Sequence, residues 1–255
     1  MSLIDTHSHI YYDQYKEDLS EVLDRAAEFN VEKIICVAVD IKTANECLKL
    51  TQKYTNIYMS AGIHPHESKE APKDFQKQLE PFFSHPKTVA VGEIGLDYHY
   101  NFSDPSIQMP IFLGQLELAK SVGLPTIVHC REAENDILNG IKITKSNKGV
   151  IHCFSGGSGF AKQILSTGYK ISFTGLITFT GTSFKEVIKT VDLTDIMIET
   201  DSPYLTPIPF RGKRNEPGNV RFIAKQIADW KNISFDLVAK STTKTAYKVF
   251  PKLIN

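Results

Sequence analysis

The stretch TIVHCREAENDILNGIKITKSNKGVIHCF, residues 126–154, holds the pattern on which the fold turns. It opens with a short apolar, β-branched run, Thr126–His129. A segment with helical spacing follows, Glu132–Thr144, and then a second run, Gly149–Phe154. Two strands joined through such a helix lie parallel, because a parallel pair needs a crossover of about a dozen residues or more. A His-Cys pair, His129-Cys130 and His152-Cys153, stands at the close of each run, so a histidine lies where each strand stops.

The same rhythm extends in both directions. Leu3–His9, Lys33–Val39, Ile57–Ile63, Val89–Ile94, Lys170–Phe173 and Ile196–Thr200 read as further strands. Asp18–Phe29, Thr43–Lys53, Asp74–Phe83, Ser106–Ser121, Gly159–Ser166 and Phe184–Lys189 have helical spacing. Eight strand–helix units in 255 residues fit a closed TIM-type (β/α)8 barrel better than an open sheet. An open doubly wound sheet is the structural alternative; the GxGxxG fingerprint is absent, which removes the usual reason to propose a dinucleotide site. Two more helical stretches, Val220–Trp230 and Phe235–Val249, follow the last strand and are expected to cap or wrap the barrel. With no linker or repeat to divide it, the chain is read as one barrel domain over residues 1–255.

Composition narrows the class. With 42% hydrophobic and 23% charged residues the chain is of ordinary globular type, not disordered. No apolar run approaches ~18 residues and no secretory leader pattern opens the chain. Lys and Arg balance Asp and Glu at zero net charge, which argues against a protein that coats nucleic acid through bulk charge. Cys36, Cys47, Cys130 and Cys153 form no CxxC pair and are expected as free thiols. The expectation is an intracellular, cytoplasmic protein without a membrane or an obligate protein partner, acting as a monomer.

Function in a barrel sits at the C-terminal ends of the strands. There the sequence places His7 and His9 after strand one, Glu93 in GEIGLD, His129, His152, and Asp201 in IETDSP. Side chains at i and i+2 share a strand face, so Asp5, His7 and His9 are expected to point together into the barrel. By the same parity Cys130 and Cys153 face the helix layer as filler. Four imidazoles and two carboxylates at one mouth form a donor set for divalent metals. Six ligands exceed one tetrahedral ion, whereas paired ions ~3.5–4 Å apart are common in hydrolases and nucleases. His7, His9 and Asp201 are assigned to the first ion, His129 and His152 to the second, and Glu93 to the bridge. The charge left over suits an anionic substrate.

The motifs DTHSH (5–9), GIHPH (62–66), VGEIGLDYH (91–99), IVHCREA (127–133), VIHCFSG (150–156), ETDSPYL (199–205) and RNEP (214–217) span essentially the whole chain. In order and spacing the chain resembles the TatD family of metal-dependent deoxyribonucleases, within the amidohydrolase superfamily. The resemblance implies a TIM-type barrel, one or two divalent metals (Mg, Mn or Zn) and phosphodiester hydrolysis. It carries the metal role onto the same six residues. Where many amidohydrolases bridge their metals with a carbamylated lysine, strand four here offers Glu93.

The expected chemistry is attack of an ionised water on phosphorus. Asp201 orients the water and accepts its proton, and Glu93 serves as the bridging ligand. His64 contacts the phosphate or assists the leaving oxygen, with His66 a weaker candidate. Tyr98 and His99 line the pocket. Arg131, Arg211 and Arg214 (with Lys213) bind phosphate, and Tyr98, Tyr204 and Phe210 stack unpaired bases. Asp5 and Glu199 are read as acids that hold histidines in their metal-binding tautomer. The expected substrate is a single-stranded DNA end, degraded from 3′ to 5′ as the resemblance suggests. The alternatives are hydrolysis of an ester or amide, such as deacylation of aminoacyl-tRNA, and a barrel that binds nucleic acid without turnover.

Overall fold

Eight parallel strands hydrogen-bond in sequence order: β1 (Leu3–Ser8), β2 (Val31–Val37), β3 (Ile57–Ala61), β4 (Thr88–Asp97), β5 (Thr126–Arg131), β6 (Gly149–Ile151), β7 (Lys170–Phe173) and β8 (Ile196–Ile198). The computed structural model describes residues 1–100, 102–179 and 184–254. The strands alternate with α1 (Leu19–Glu28), α2 (Ile41–Lys53), α3 (Phe75–Phe83), α4 (Pro105–Val122), α5 (Glu134–Thr144), α6 (Ser158–Ser166) and α7 (Phe184–Thr190). Helices α8 (Val220–Lys231) and α9 (Phe235–Val249) follow β8. The TIM-type barrel with extra C-terminal helices is therefore the observed architecture.

The two ends of the sheet meet through the residues just past β8. Asp201 N–H donates to His7 O at 2.9 Å, His9 N–H donates to Ser202 O at 2.7 Å, and Ser8 bridges Ser202. The C-terminal end of β1 is thus tied to the segment just past β8.

Two apolar layers follow from strand alternation. Ile4, Ile35, Val37, Ile127, Val150 and Met197 pack with Val249, Phe250 and Leu253 of the C-terminal segment, which fills one end of the barrel. Leu3, Ile34, Cys36, Val128, Ile151 and Ile198 pack outward against the helices. Alternation places His129 two residues above inward Ile127, and His152 two above inward Val150. It fails on β1 and β4, where the ladders are irregular between Asp5 and Ser8 and between Val91 and Ile94.

Of the eight strands β7 alone ends where the spacing predicts, and three of the shifted ends bear on the site. β4 continues three residues past Ile94, to Asp97. β6 stops at Ile151 and β8 at Ile198. Beyond those ends Cys153 and Asp201 take left-handed φ of 45° and 54°, a conformation uncommon for residues other than glycine. Each is held there by its own N–H, Cys153 to Glu199 Oε1 at 2.6 Å and Asp201 to His7 O. Among the described residues no helix is long and apolar enough to cross a membrane.

Candidate metal centre

All six proposed ligands meet at the C-terminal ends of β1, β4, β5, β6 and β8, and Glu93 lies between two donor sets. Its Oε2 is 3.3 Å from His7 Nε2 and 3.8 Å from His9 Nε2. Its Oε1 is 2.8 Å from His152 Nε2, 3.2 Å from His129 Nδ1 and 3.3 Å from His64 Nε2. Asp201 Oδ1 completes the first set, 3.7 Å from His7 Nε2 and 3.4 Å from His9 Nε2, which are 3.2 Å from each other. In the second set His152 Nε2 and His129 Nδ1 are 3.4 Å apart.

These spacings fit a divalent cation. Metal–ligand bonds of about 2.0–2.2 Å hold neighbouring ligand atoms about 3.0–3.5 Å apart. The donors are imidazole and carboxylate, and they converge in a buried space. Facing ring nitrogens gain little from one another without a proton or a cation between them.

The ring tautomers sort the histidines further. His9 Nδ1 lies 2.8 Å from Val37 O, which can only accept, so Nδ1 carries the proton and Nε2 presents its lone pair. His129 Nε2 donates to Asp97 Oδ2 at 2.9 Å, leaving Nδ1 for the centre. His64 is the reverse. Its Nδ1 accepts from His66 N–H at 3.2 Å, so in the neutral ring the proton is on Nε2, aimed at Glu93. Burial pushes His64 down to about 4, which keeps it neutral near pH 7. In that tautomer His64 Nε2 is a hydrogen-bond donor to Glu93, and the same ring lies with Glu93 and His129 in one of the candidate donor groups.

The acids are held ionised. Burial opposes the charge on Glu93, but His152, His64 and His7 outweigh it and hold the carboxyl well below its usual range. Asp201 is likewise lowered against burial by His9 and His7. Its side chain, 15% exposed, is the more open of the two carboxylates.

Asp97 was not among the sequence candidates, and it organises one wall of the site. Oδ2 accepts from His129 and His66 at 2.9 Å each, and Oδ1 accepts from the N–H groups of His99 and Tyr100 at 3.1 and 2.9 Å. Burial opposes its charge, yet His129 and His66 hold its carboxyl far below the usual range. The period-two series Glu93, Gly95, Asp97 is the feature that would have exposed it. Gly95 is required there: at φ 138° an added Cβ would stand 2.0 Å from the His129 carbonyl oxygen.

Of the two acids expected to orient histidines, Glu199 stands 3.3 Å from His152 Nδ1, whereas Asp5 reaches no imidazole ring. Asp5 accepts from Thr200 N–H at 2.8 Å and Thr200 Oγ1 at 2.6 Å, tying β1 to the segment after β8. The interrupted ladder above Asp5 is why it does not share the histidine face.

The expected substrate contacts separate in space. Arg131 ends β5 with its guanidinium 4.5 Å over the Tyr100 ring, and Arg211 lies 4.1 Å over Phe179. His99 is exposed and paired with Glu132 at 2.6 Å. Tyr98 turns away, its hydroxyl donating to Asp136 of α5. Arg214 is a correction. Its guanidinium is forked onto Asp18 at 2.8 and 2.6 Å, donates to Glu216 at 3.0 Å and also to Gln14 O. Two carboxylates compensate its charge, so it clamps the loop after β8 to the start of α1 and has no free fork for phosphate. Burial pushes the Cys130 thiol up to about 12 and Cys153 well above its usual value, as suits inert filler.

Comparison with known proteins is consistent across the chain. The family model described as "TatD related DNase" matches residues 4–251. The "uncharacterized metal-dependent hydrolase YabD" of Bacillus subtilis is 39% identical over 251 residues, covering 97% of this chain and 98% of that protein. A protein of Citrobacter rodentium named "3'-5' ssDNA/RNA exonuclease TatD" is 31% identical over 245 residues, 93% of each chain. The solved structure of YJJV, a TatD homologue from Escherichia coli K12, superposes with a TM-score of 0.92 at 30% identity, covering 98% of both chains.

Proposed function

Because the chain belongs to the TatD-related DNase family of metal-dependent hydrolases, we propose that it hydrolyses phosphodiester bonds at single-stranded DNA ends, removing nucleotides from 3′ to 5′. The observation that carries the reading is Glu93, whose two oxygens each face a separate donor set. On this reading His7, His9 and Asp201 would hold one divalent ion, His129 and His152 a second, and Glu93 would serve both. Mg, Mn and Zn are the candidates. Bound ions supply Lewis-acid polarisation of phosphoryl oxygens and lower the pKa of water.

The remaining chemistry belongs to the chain. Asp201, ionised and the more open acid, orients the attacking water and accepts its proton. The water oxygen bonds to phosphorus, the bond from phosphorus to the sugar oxygen breaks, and the sugar oxygen leaves as the alcohol with the proton that Asp201 accepted, returned through solvent. His64, neutral and with its proton on Nε2, donates a hydrogen bond to a phosphate or leaving oxygen, stabilising charge without becoming an imidazolium. Arg131, half-buried beside this cluster, carries the forked cation suited to a neighbouring phosphate. The polarity rests on the name of the C. rodentium relative, which is also named for RNA.

The test is cleavage of single-stranded DNA labelled at either end by metal-stripped protein supplied with magnesium, manganese or zinc. Asp201→Asn is assayed beside it. The expected result is metal-dependent shortening from the 3′ end, reduced at least about 100-fold in the variant. Shortening from the 5′ end would reverse the polarity. Absence of cleavage with every metal, in protein that binds metal and is folded, would overturn the nuclease reading and direct the search to ester and amide substrates.

A further inference from the structure

Three large aromatic side chains among the described residues are well exposed, Tyr100, Phe102 and Tyr204, and all three follow strands at the rim that carries the metal centre. Two of them form a pair. Tyr100 and Phe102, 41% and 55% exposed, stack with centroids 5.6 Å apart and planes 29° from parallel. Aromatic surface left in water forgoes the free energy of burial, and neither ring is needed to fill the core.

The loop that displays them is held from beneath. The buried Gln108 side chain accepts from Asp97 N–H and donates to the carbonyls of Asp97 and Ser103, each at 2.8 Å. Ser103 Oγ donates to His66 O at 2.9 Å. Asp97, which orients His129, also accepts from Tyr100 N–H. The platform and the second donor set are thus positioned by one carboxylate.

The path from rings to centre is short. Phe102 lies 4.8 Å from the His66 ring, His66 lies 4.4 Å from His64, and His64 Nε2 is 3.3 Å from Glu93. Arg131 stands over Tyr100 and brings a cation to the same place. Exposed rings beside a cation, next to a centre suited to phosphate, match the surface that takes single-stranded nucleic acid: bases stack and the backbone meets positive charge.

We propose that Tyr100 and Phe102 are the stacking platform for the nucleobase next to the scissile phosphate, with Arg131 on the neighbouring phosphate. The assignment rests on the nuclease reading for the identity of the ligand. Every base has a π-face, so the platform binds ends without regard to sequence.

The test is a fluorescence titration of the metal-loaded enzyme with hexadeoxynucleotides carrying 2-aminopurine at the 3′ or the 5′ end and slowly cleaved phosphorothioate linkages. Stacking on the rings should quench one of the two labels. In Tyr100→Ala/Phe102→Ala binding should weaken about tenfold and the quench should disappear, with metal content as in wild type. Tyr100→Trp/Phe102→Trp should restore both. Binding within twofold of wild type and an undiminished quench in the alanine variant would overturn the platform. Cleavage of unmodified DNA is followed in parallel. Quenching without cleavage would sustain the platform and remove the nuclease reading. Cleavage with no effect of the alanine pair would do the opposite, and neither quench nor cleavage in wild type would remove both.

Discussion

Asp97 and Glu93 stand four residues apart on β4; Glu93 faces both halves of the site, whereas Asp97 supports one. Asp97 Oδ2 fixes His129 through Nε2, so Asp97→Asn removes the charge that sets that ring's tautomer. Loss of such a supporting carboxylate commonly lowers metal affinity about 10–100-fold. The expected outcome for Asp97→Asn is weakening of that order at the His129–His152 set, with the His7–His9–Asp201 set unchanged. Glu93→Ala should weaken both sets, because its two oxygens face both. Metal titration read as two binding steps checks the contrast, and an Asp97→Asn protein with two wild-type steps would refute it. At this scale the six donors were legible because each stands where an apolar run stops. Asp97 was hidden because Gly95 interrupts the apolar run of β4 directly after Ile94. Hydrogen-bond partners such as Val37 O for His9 are tertiary facts that no motif carries.

Among the elements, the joint between α1 and the loop after β8 is where a charged motif proved structural. Arg25 forks onto Glu216 at 2.8 and 2.8 Å, Arg214 spans Asp18 and Glu216, and Arg214 lies 4.6 Å over the Tyr15 ring. Burial opposes the charge on Glu216, but the two guanidiniums hold its carboxyl below its usual value of 4.5. A depressed carboxyl contributes stability that is present above the unfolded pKa and is lost as pH falls through the folded one. Glu216→Gln should therefore lower the melting temperature at pH 7 by about 2–4 °C, the shift of roughly 1 kcal/mol in a chain of this size. The gap from wild type should close as pH falls from 5 toward 3. Thermal scans across that range check it, and a gap independent of pH would assign the effect to packing alone. Strand and helix positions were readable from periodicity, and α9 spans Phe235–Val249 as the spacing predicts. Parity held on β5 and β6, whose shared ladder is regular from Thr126–Gly149 to Val128–Ile151. It did not hold on β1, where the register is interrupted and Asp5 points to Thr200.

For the whole molecule, the centre gathers donors from five strands, so ions bound there would together cross-link β1, β4, β5, β6 and the segment just past β8. A ligand held only by the folded chain stabilises it by about 2.7 kcal/mol at a hundredfold excess over Kd. Stripping the metal should lower the melting temperature by about 5–10 °C, recovered on adding it back. Unchanged melting would mean that the six donors do not hold an ion in the native barrel. The sequence by itself determined the βαβ rhythm, and with it the barrel, because the spacing of apolar side chains sets strand and helix locally. It also named six candidate donors that lie together in the fold, because a polar residue closing a strand is visible in one dimension. Only the tertiary structure decided which nitrogen each imidazole presents, that Arg214 is spent on Asp18 and Glu216, and that Asp97 and the Tyr100–Phe102 pair flank the centre. Those outcomes depend on partners up to 196 residues distant, brought together by barrel closure and by local breaks in strand register that no periodicity encodes.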